Sequence, residues 1–257
     1  MTLPDPDVGS GELDLIAPIP TASNGTYLAT IEGIPVVYKP VSGEQQLWDF
    51  PDGPLAHREM AAYLVSEALG WGVVPRTWLR DGPLGAGMVQ LWREPDPEQD
   101  PVDLVSSDAV PDKGWRHVLT AQDSRHGTVV LIHEDSPALR RMAVFDVVVN
   151  NADRKGGHIL AMPDGHRYGV DHGLTFHVQR KLRTVLWGWL GEELDDEEIA
   201  GVEHLRLSLG AGLGQALSGL LSAPEIVALD ERCQGLLSEH RFPAPDGRMP
   251  ATPWPLF

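Results

Sequence analysis

The chain of 257 residues is long enough to bury a substantial core, and its 42% hydrophobic content is typical of folded globular proteins. Its 37 acidic residues against 20 basic ones give a formal net charge of −17, which disfavours nucleic acid and anionic membrane surfaces as long-range partners. The single cysteine, Cys233, excludes a disulfide framework and a cysteine-based zinc site.

The first residues and the apolar runs bear on location in the cell. The opening stretch, MTLPDPDVGSGELD, has neither the basic nor the apolar region of a signal peptide. No apolar run approaches the ~20 residues that a membrane-spanning helix needs. We therefore expect a cytoplasmic protein without stable membrane association and with a loose tail over residues 1–12.

Residues 13–93 predict a β-rich lobe with the element order β-β-β-α-β-β. TYLATI and PVVYKP, separated by Glu-Gly, favour a β-hairpin. HREMAAYLVSEALGWG predicts a helix that ends at Gly70 or Gly72. VPRTWL and GAGMVQLW, which follow, are typical of strands.

Residues 94–242 predict a second, mostly helical lobe. The connector REPDPEQDP, rich in proline and acidic residues, marks the boundary, and residues 101–133 that follow show no clear pattern. Ser136 as N-cap and Pro137 at the first helical position predict one helix. DDEEIAGVEHLRLSL and APEIVALDERCQGLLSEH predict two more, and the Pro-rich residues 243–257 are expected to be coil.

Two loops of the second lobe carry carboxylates in positions suited to phosphoryl transfer. That reaction needs a metal-binding carboxylate and a carboxylate near the attacking hydroxyl. Asp153 opens the Gly-rich loop NNADRKGGHIL and is the candidate for orienting or deprotonating an acceptor hydroxyl. Asp171, in YGVDHGLTF, is the candidate for binding a cation, and Arg154 for neutralising the transferred charge.

The first lobe offers groups for a nucleotide. Lys39 ends an apolar strand, so its ammonium group can reach from the sheet into a cleft. Glu59 on the following helix is the preferred partner that would hold Lys39 extended, with Glu67 left as an alternative. Backbone N–H groups of the turn before the hairpin can face a phosphate; the residues of this turn are Ser23, Asn24 and Gly25.

Several of these residues, among them Lys39, Glu59 and Asp171, lie in segments that resemble the phosphatidylinositol 3-/4-kinase superfamily, above all its type II 4-kinase branch. The segments are YKP at 38–40, REMAAYL at 58–64, VPRT at 74–77, GMVQLW at 87–92, NNADR at 150–154 and VDHGLTF at 170–176. The resemblance implies a two-lobed, protein-kinase-like α+β fold with ATP between the lobes. It further implies Lys39 on the phosphates, Asp153 in the catalytic loop and Asp171 on the metal. At the adenine hinge it implies Gln90, Leu91 and Trp92.

One residue departs from the family pattern, which generally has Asn where this chain has His158. Mg²⁺ prefers hard oxygen ligands, whereas a neutral imidazole suits softer ions such as Mn²⁺. His158 is therefore a candidate second ligand of a divalent metal, Mg²⁺ or Mn²⁺. The replacement of Asn by His158 could alter the metal preference or abolish the activity, and both alternatives stay open.

The sequence thus predicts an ATP-dependent phosphotransferase that acts on a soluble acceptor. The acceptor is a protein serine or threonine, the enzyme itself or a polyol such as inositol, and not a membrane lipid. A catalytically impaired nucleotide-binding regulator is the second hypothesis. Two further alternatives rank third. One is a nucleotidyl transferase, which would move AMP. The other is a metallohydrolase, although the sequence has no tight metal-binding motif. The hydrolase ligands would come from His158, His166, Asp171, His172 and His177.

Overall fold

The computed structural model describes residues 6–20, 24–45, 47–50, 53–123, 127–245, 247 and 249–257. Over these residues the chain has a β-rich N-lobe and a mostly helical C-lobe, so the predicted two-lobed α+β architecture is confirmed. In the described part of the chain, no helix combines the length and apolar character needed to cross a membrane.

The N-lobe follows the predicted element order. Its elements are β1 (Leu13–Pro18), β2 (Tyr27–Ile31), β3 (Ile34–Pro40), α1 (Leu55–Leu69), β4 (Thr77–Gly82) and β5 (Gly85–Leu91). The strands pair antiparallel in the order β1-β2-β3-β5-β4. Glu32 and Gly33 both have positive φ, as a tight turn between β2 and β3 requires, and the predicted hairpin is confirmed.

The sheet buries one face and thereby fixes the strand that carries Lys39. Val36 and Tyr38, which alternate with Lys39 along β3, are fully buried in the core of the N-lobe. Gly87 of β5, which pairs with Pro40 at the end of β3, leaves no room for a side chain, because a Cβ atom there would lie 2.5 Å from the carbonyl oxygen of Lys39. The end of β3 is therefore held tightly against β5.

Helix α1 connects the two lobes. Its Arg58 is buried and forms an ion pair with Glu225 of the C-lobe at 2.6 Å. The same guanidinium donates to the carbonyl oxygen of Thr175 at 2.6 Å. Because Glu59 is the next residue of the helix, these contacts set where its carboxylate lies relative to the 171–175 loop.

The C-lobe helices are capped largely as the sequence indicates. They are α2 (Pro137–Val149), α3 (Asp196–Leu209), α4 (Gly212–Ser218) and α5 (Ala223–Glu239). The Ser136 hydroxyl accepts from the N–H of Leu139 at the start of α2, with Pro137 at the first position, as predicted. Helix α3 begins with a capping box of Asp195 and Glu198. The short helix α4 was not predicted.

Residues 101–133 contain strands that the sequence pattern did not predict. They are β6 (Val102–Ser106), β7 (Trp115–Asp123) and β8 (Gly127–Glu134), which pair antiparallel in the order β6-β8-β7. Strand β8 is largely buried, but β7 has no fully buried residue and so lacks a regular apolar alternation. A second small ladder joins β9 (Ile159–Ala161) to β10 (Arg167–Gly169) between the two candidate loops.

Candidate active site

Lys39 and Glu59 form an ion pair across the N-lobe. The ammonium nitrogen of Lys39 lies 2.6 Å from Oε1 of Glu59, whose side chain is almost completely buried. Glu67 lies exposed on α1, so the structure resolves the choice between the two glutamates in favour of Glu59. A lysine on the third strand paired with a glutamate on the following helix is the arrangement that protein kinases use to bind ATP phosphates.

Asp171 completes a three-residue cluster around the Lys39 ammonium. Its Oδ1 atom lies 2.8 Å from Nζ of Lys39, and the residue has a left-handed backbone with φ of 61°. The charge of Lys39 holds the pKa of Asp171 well below its usual range. Although burial alone would lower the pKa of Lys39, the carboxylates of Asp171 and Glu59 raise it above its ordinary value. Both partners are therefore charged at neutral pH.

His158 approaches the same carboxylate from the loop that contains Asp153. Its Nδ1 atom lies 3.0 Å from the carbonyl oxygen of Asp153, and since a carbonyl can only accept, Nδ1 carries the proton. Burial lowers the pKa of His158 to about 4, so the ring is neutral at neutral pH. The lone pair of Nε2 then faces Oδ2 of Asp171 at 3.4 Å.

Two acceptors that face each other at this distance suit a cation between them. An imidazole whose other nitrogen donates to a backbone carbonyl is oriented as metal-binding histidines commonly are. Among the described residues, no group of three or more His, Cys, Asp or Glu side chains is placed to hold a metal ion. His158 and Asp171 therefore fit a metal that takes its remaining ligands from phosphate and water, as Mg²⁺ and related ions do at nucleotide sites.

Asp153 lies four residues after Val149, the last residue of α2. Its carboxylate is 3.3 Å from Nζ of Lys155, and its N–H donates to the side chain of Asn151 at 2.9 Å. Burial raises the pKa of Asp153 despite the nearby Lys155 charge. A carboxylate whose pKa lies above its usual range is a stronger base, which suits the predicted role of accepting a hydroxyl proton.

Arg154 does not lie where the sequence prediction placed it. Its side chain is completely buried and pairs with the carboxylate of Asp146 through Nε and Nη2 at 2.9–3.2 Å. Its Nη1 donates to the carbonyl oxygens of His158 and Val170. The expectation that Arg154 neutralises transferred charge is therefore wrong, because a buried guanidinium with these partners cannot reach the transferred group. It joins the two loops of the site instead.

His172 lies in a place that the sequence did not predict. The sequence offered it only as a possible metallohydrolase ligand, but the ring is completely buried, 2.7 Å from Arg154 and edge-on to Phe145. Burial lowers its pKa well below the usual value. Its backbone N–H donates to Oε2 of Glu59 at 2.9 Å, so one carboxylate holds both Lys39 and the Asp171 loop.

The turn expected to contact phosphate lies against the segment after β3. Ser23 is outside the described residues. The N–H of Gly25 donates to the carbonyl oxygen of Gly43 at 3.0 Å, and the Asn24 side chain accepts from the N–H of Gln45 at 2.9 Å. Phosphate contact by these residues stays a prediction.

The three residues expected at the adenine hinge lie at the end of β5 and directly after it, at the lobe boundary. Gln90 is buried and donates to the hydroxyl of Thr77 at 2.9 Å. The N–H groups of Leu91 and Trp92 donate to the carbonyl oxygens of Arg76 and Pro35. Contact with adenine by these three residues also stays a prediction.

Comparison with known proteins places the chain in a family. Protein Rv2133c of Mycobacterium tuberculosis is 50% identical over 273 aligned positions, which cover 100% of this chain and 98% of that protein. The chain belongs to the same family as Rv2133c. No family model matches the sequence.

Among solved structures, the crystal structure of the Helicobacter pylori proinflammatory kinase CtkA is similar to this chain, with a TM-score of 0.48 and 11% identity. The superposition covers 90% of this chain and 93% of CtkA.

Proposed function

We propose that this protein is an ATP-dependent phosphotransferase that acts on a soluble acceptor. The observation that carries the proposal is the position of the Lys39 ammonium, 2.6 Å from Glu59 and 2.8 Å from Asp171. A lysine held by a helix glutamate and placed beside a metal-binding carboxylate is the minimal apparatus for binding and neutralising ATP phosphates. The buried Glu59 keeps this lysine charged and extended.

Each side chain of the cluster has a distinct part in the proposed reaction. Lys39 binds phosphate oxygens, and Asp171 and His158 hold a divalent metal, which when bound neutralises charge on the phosphates. Asp153 orients the acceptor hydroxyl and takes its proton as the oxygen attacks the γ-phosphorus of ATP, whose bond to the bridging oxygen breaks so that ADP leaves. Buried Arg154, paired with Asp146, keeps the two loops in register because it also donates to the carbonyl oxygens of His158 and Val170.

The acceptor we propose is a protein hydroxyl, on this chain or another, or a polyol. A membrane lipid is disfavoured because a net charge of −17 repels an anionic bilayer at long range. Sedimentation of the protein with anionic phosphoinositide vesicles at moderate salt would contradict this choice of acceptor.

A nucleotide-binding regulator without transfer activity is the second candidate. It is favoured by the small ligand set, since the protein gathers only His158 and Asp171 around the metal position among its described residues. In that case Lys39 would still bind phosphates, and Asp153 would have no acceptor.

Mass spectrometry of the purified protein after incubation with ATP separates these candidates. We expect a phosphate adduct on the protein, or phosphorylation of an added polyol, in the presence of Mg²⁺ or Mn²⁺. Asp153→Asn should abolish the adduct while nucleotide binding persists. An AMP adduct would instead show nucleotidyl transfer, and nucleotide binding without any product would favour the regulator.

A further inference from the structure

The 251–257 segment lies directly on the loop that carries Asp153 and His158. The N–H of Gly156 donates to the carbonyl oxygen of Leu256 at 2.8 Å. The ring of Phe257 covers Gly156 so closely that a Cβ atom on Gly156 would collide with it. Glycine is therefore required at this loop position for the segment to lie where it does.

The same segment is anchored at its other end. The carbonyl oxygen of Ala251 accepts from the N–H of Thr184 at 3.1 Å and from the indole nitrogen of Trp187 at 2.8 Å. Thr184 in turn forms a parallel bridge with Arg154 of the loop. Between the anchors Pro253 is buried, and Leu256 packs against the main core.

We propose that the 251–257 segment positions the catalytic loop, and in particular His158, for metal binding. This inference rests on the function proposed above. Gly156 begins the short 3₁₀ turn Gly156–His158, and that turn sets the direction of the His158 ring toward Asp171. A Gly-Gly pair is the most flexible backbone a loop can have, so it needs an external contact to hold one conformation.

Phe257→Ala is the variant that tests this contact, and Trp254→Ala is its matched control. The Phe257 ring contacts Gly156, whereas Trp254 of the same segment is 88% exposed. Since Phe257 is itself half exposed, its loss should leave the global fold intact. We expect the Gly156 amide to exchange hydrogen several-fold faster in Phe257→Ala and at the wild-type rate in Trp254→Ala.

Two further measurements connect the contact to the site. Mn²⁺ affinity should be several-fold weaker in Phe257→Ala, because the His158 ring is no longer held toward Asp171. At saturating Mn²⁺, the kcat for phosphate transfer should fall about tenfold with little change in the KM for ATP, since small displacements of a positioned group are costly and Lys39 lies in the other lobe. If Gly156 exchanges faster but Mn²⁺ affinity stays at the wild-type value, the positioning role is overturned.

A double variant tests the direct contact between loop and segment. Gly156→Ala should weaken Mn²⁺ binding because its Cβ expels the Phe257 ring. Once the ring is absent that collision disappears, so Gly156→Ala with Phe257→Ala should be no worse than Phe257→Ala alone. Simple addition of the two effects would overturn the proposal.

These readouts separate failure of the segment's role from failure of the proposed function. Hydrogen exchange at Gly156 and Mn²⁺ affinity require no acceptor and no turnover. If the wild-type protein transfers no phosphate, the phosphotransferase proposal fails, and the two binding measurements still decide whether the 251–257 segment positions His158.

Discussion

The unprotonated Nε2 atom of His158 faces Oδ2 of Asp171 at 3.4 Å, with its other nitrogen fixed by the carbonyl oxygen of Asp153. Neither atom can donate to the other, so the two acceptors together favour a positive charge between them. The Lys39 ammonium lies on the Oδ1 side of the same carboxylate at 2.8 Å. A divalent cation bound by both side chains would join the Asp153 loop and the Asp171 loop to one phosphate.

Metal preference should follow the chemistry of this pair. We expect Mn²⁺ to bind more tightly than Mg²⁺ in the presence of ATP, because one ligand is an imidazole nitrogen. His158→Asn supplies an oxygen ligand and should shift the preference toward Mg²⁺. Titration of each metal by calorimetry measures the ratio, with His204→Asn on the exposed face of α3 as the control. An unchanged ratio in His158→Asn would place the imidazole outside the metal shell.

The pH dependence of metal binding should be displaced from that of an ordinary histidine. An unperturbed ring would lose metal as the pH drops through about 6.5. Burial lowers the pKa of His158 to about 4, so protons compete only in more acidic solution. We expect constant Mn²⁺ affinity from neutral pH to about pH 5 and a loss toward pH 4. A steep fall near pH 6.5 would contradict the buried, neutral ring.

Lys39 should matter for phosphates and not for the nucleoside. A charge-assisted hydrogen bond contributes about 1.5–3 kcal/mol, so Lys39→Ala should weaken ATP binding by roughly 10- to 100-fold and leave adenosine binding nearly unchanged. Lys113→Ala, at an exposed lysine of the C-lobe, should bind ATP normally. Equal losses for ATP and adenosine would place the Lys39 ammonium away from the phosphates.

Local signals explain which parts of this arrangement the sequence revealed. The start of α2 was predicted correctly because Ser136 and Pro137 determine it between them, without help from the rest of the chain. The hairpin at Glu32–Gly33 was predictable for the same reason. Glu59 was the preferred partner of Lys39, but helix periodicity alone left Glu67 open, because the choice depends on how α1 is rotated against the C-lobe.

Longer-range contacts explain what the sequence did not reveal. Arg154 looks like an exposed loop arginine until Asp146, eight residues earlier, is brought under it by the turn after α2. His172 is completely buried, with contacts to Glu59, Phe145 and Arg154 that are distant in sequence, and it has no local pattern that signals burial. The contact of Phe257 with Gly156 joins positions about a hundred residues apart, and only the folded chain shows it.

Arg154 should be essential for stability. Removing one partner of a buried ion pair leaves the other charge uncompensated, so Arg154→Met should lower the free energy of unfolding by about 3–5 kcal/mol. Arg206→Met removes an arginine from the partly exposed Arg206–Asp230 pair and should change stability little. Urea unfolding followed by fluorescence measures both. A small effect of Arg154→Met, with phosphate transfer lost, would restore the direct role in catalysis that the structure excludes.

His133 should make stability fall in mild acid. The ring is completely buried, donates from Nδ1 to the carbonyl oxygen of Glu134 at 2.8 Å and accepts at Nε2 from the N–H of Gly188 at 3.0 Å. Protonation would remove that acceptor, and burial lowers the pKa of His133 to about 4. Nearby charges are those of Asp135 and Glu134, which favour the proton, and of Arg116, which opposes it.

The sign of this effect follows from the lowered pKa. The unfolded chain takes up the proton near pH 6.5 and the folded chain only near pH 4, so the His133 contribution is complete above pH 6.5 and is lost as the pH falls toward 4. The loss should reach about 3 kcal/mol.

His133→Gln keeps a donor and an acceptor but cannot titrate, so its unfolding free energy should vary less between pH 7 and pH 4 than that of wild type. His117→Gln, on the exposed face of β7, should follow the wild-type curve. Parallel curves for His133→Gln and wild type, measured by urea unfolding at each pH, would show that the ring is not kept neutral by the fold.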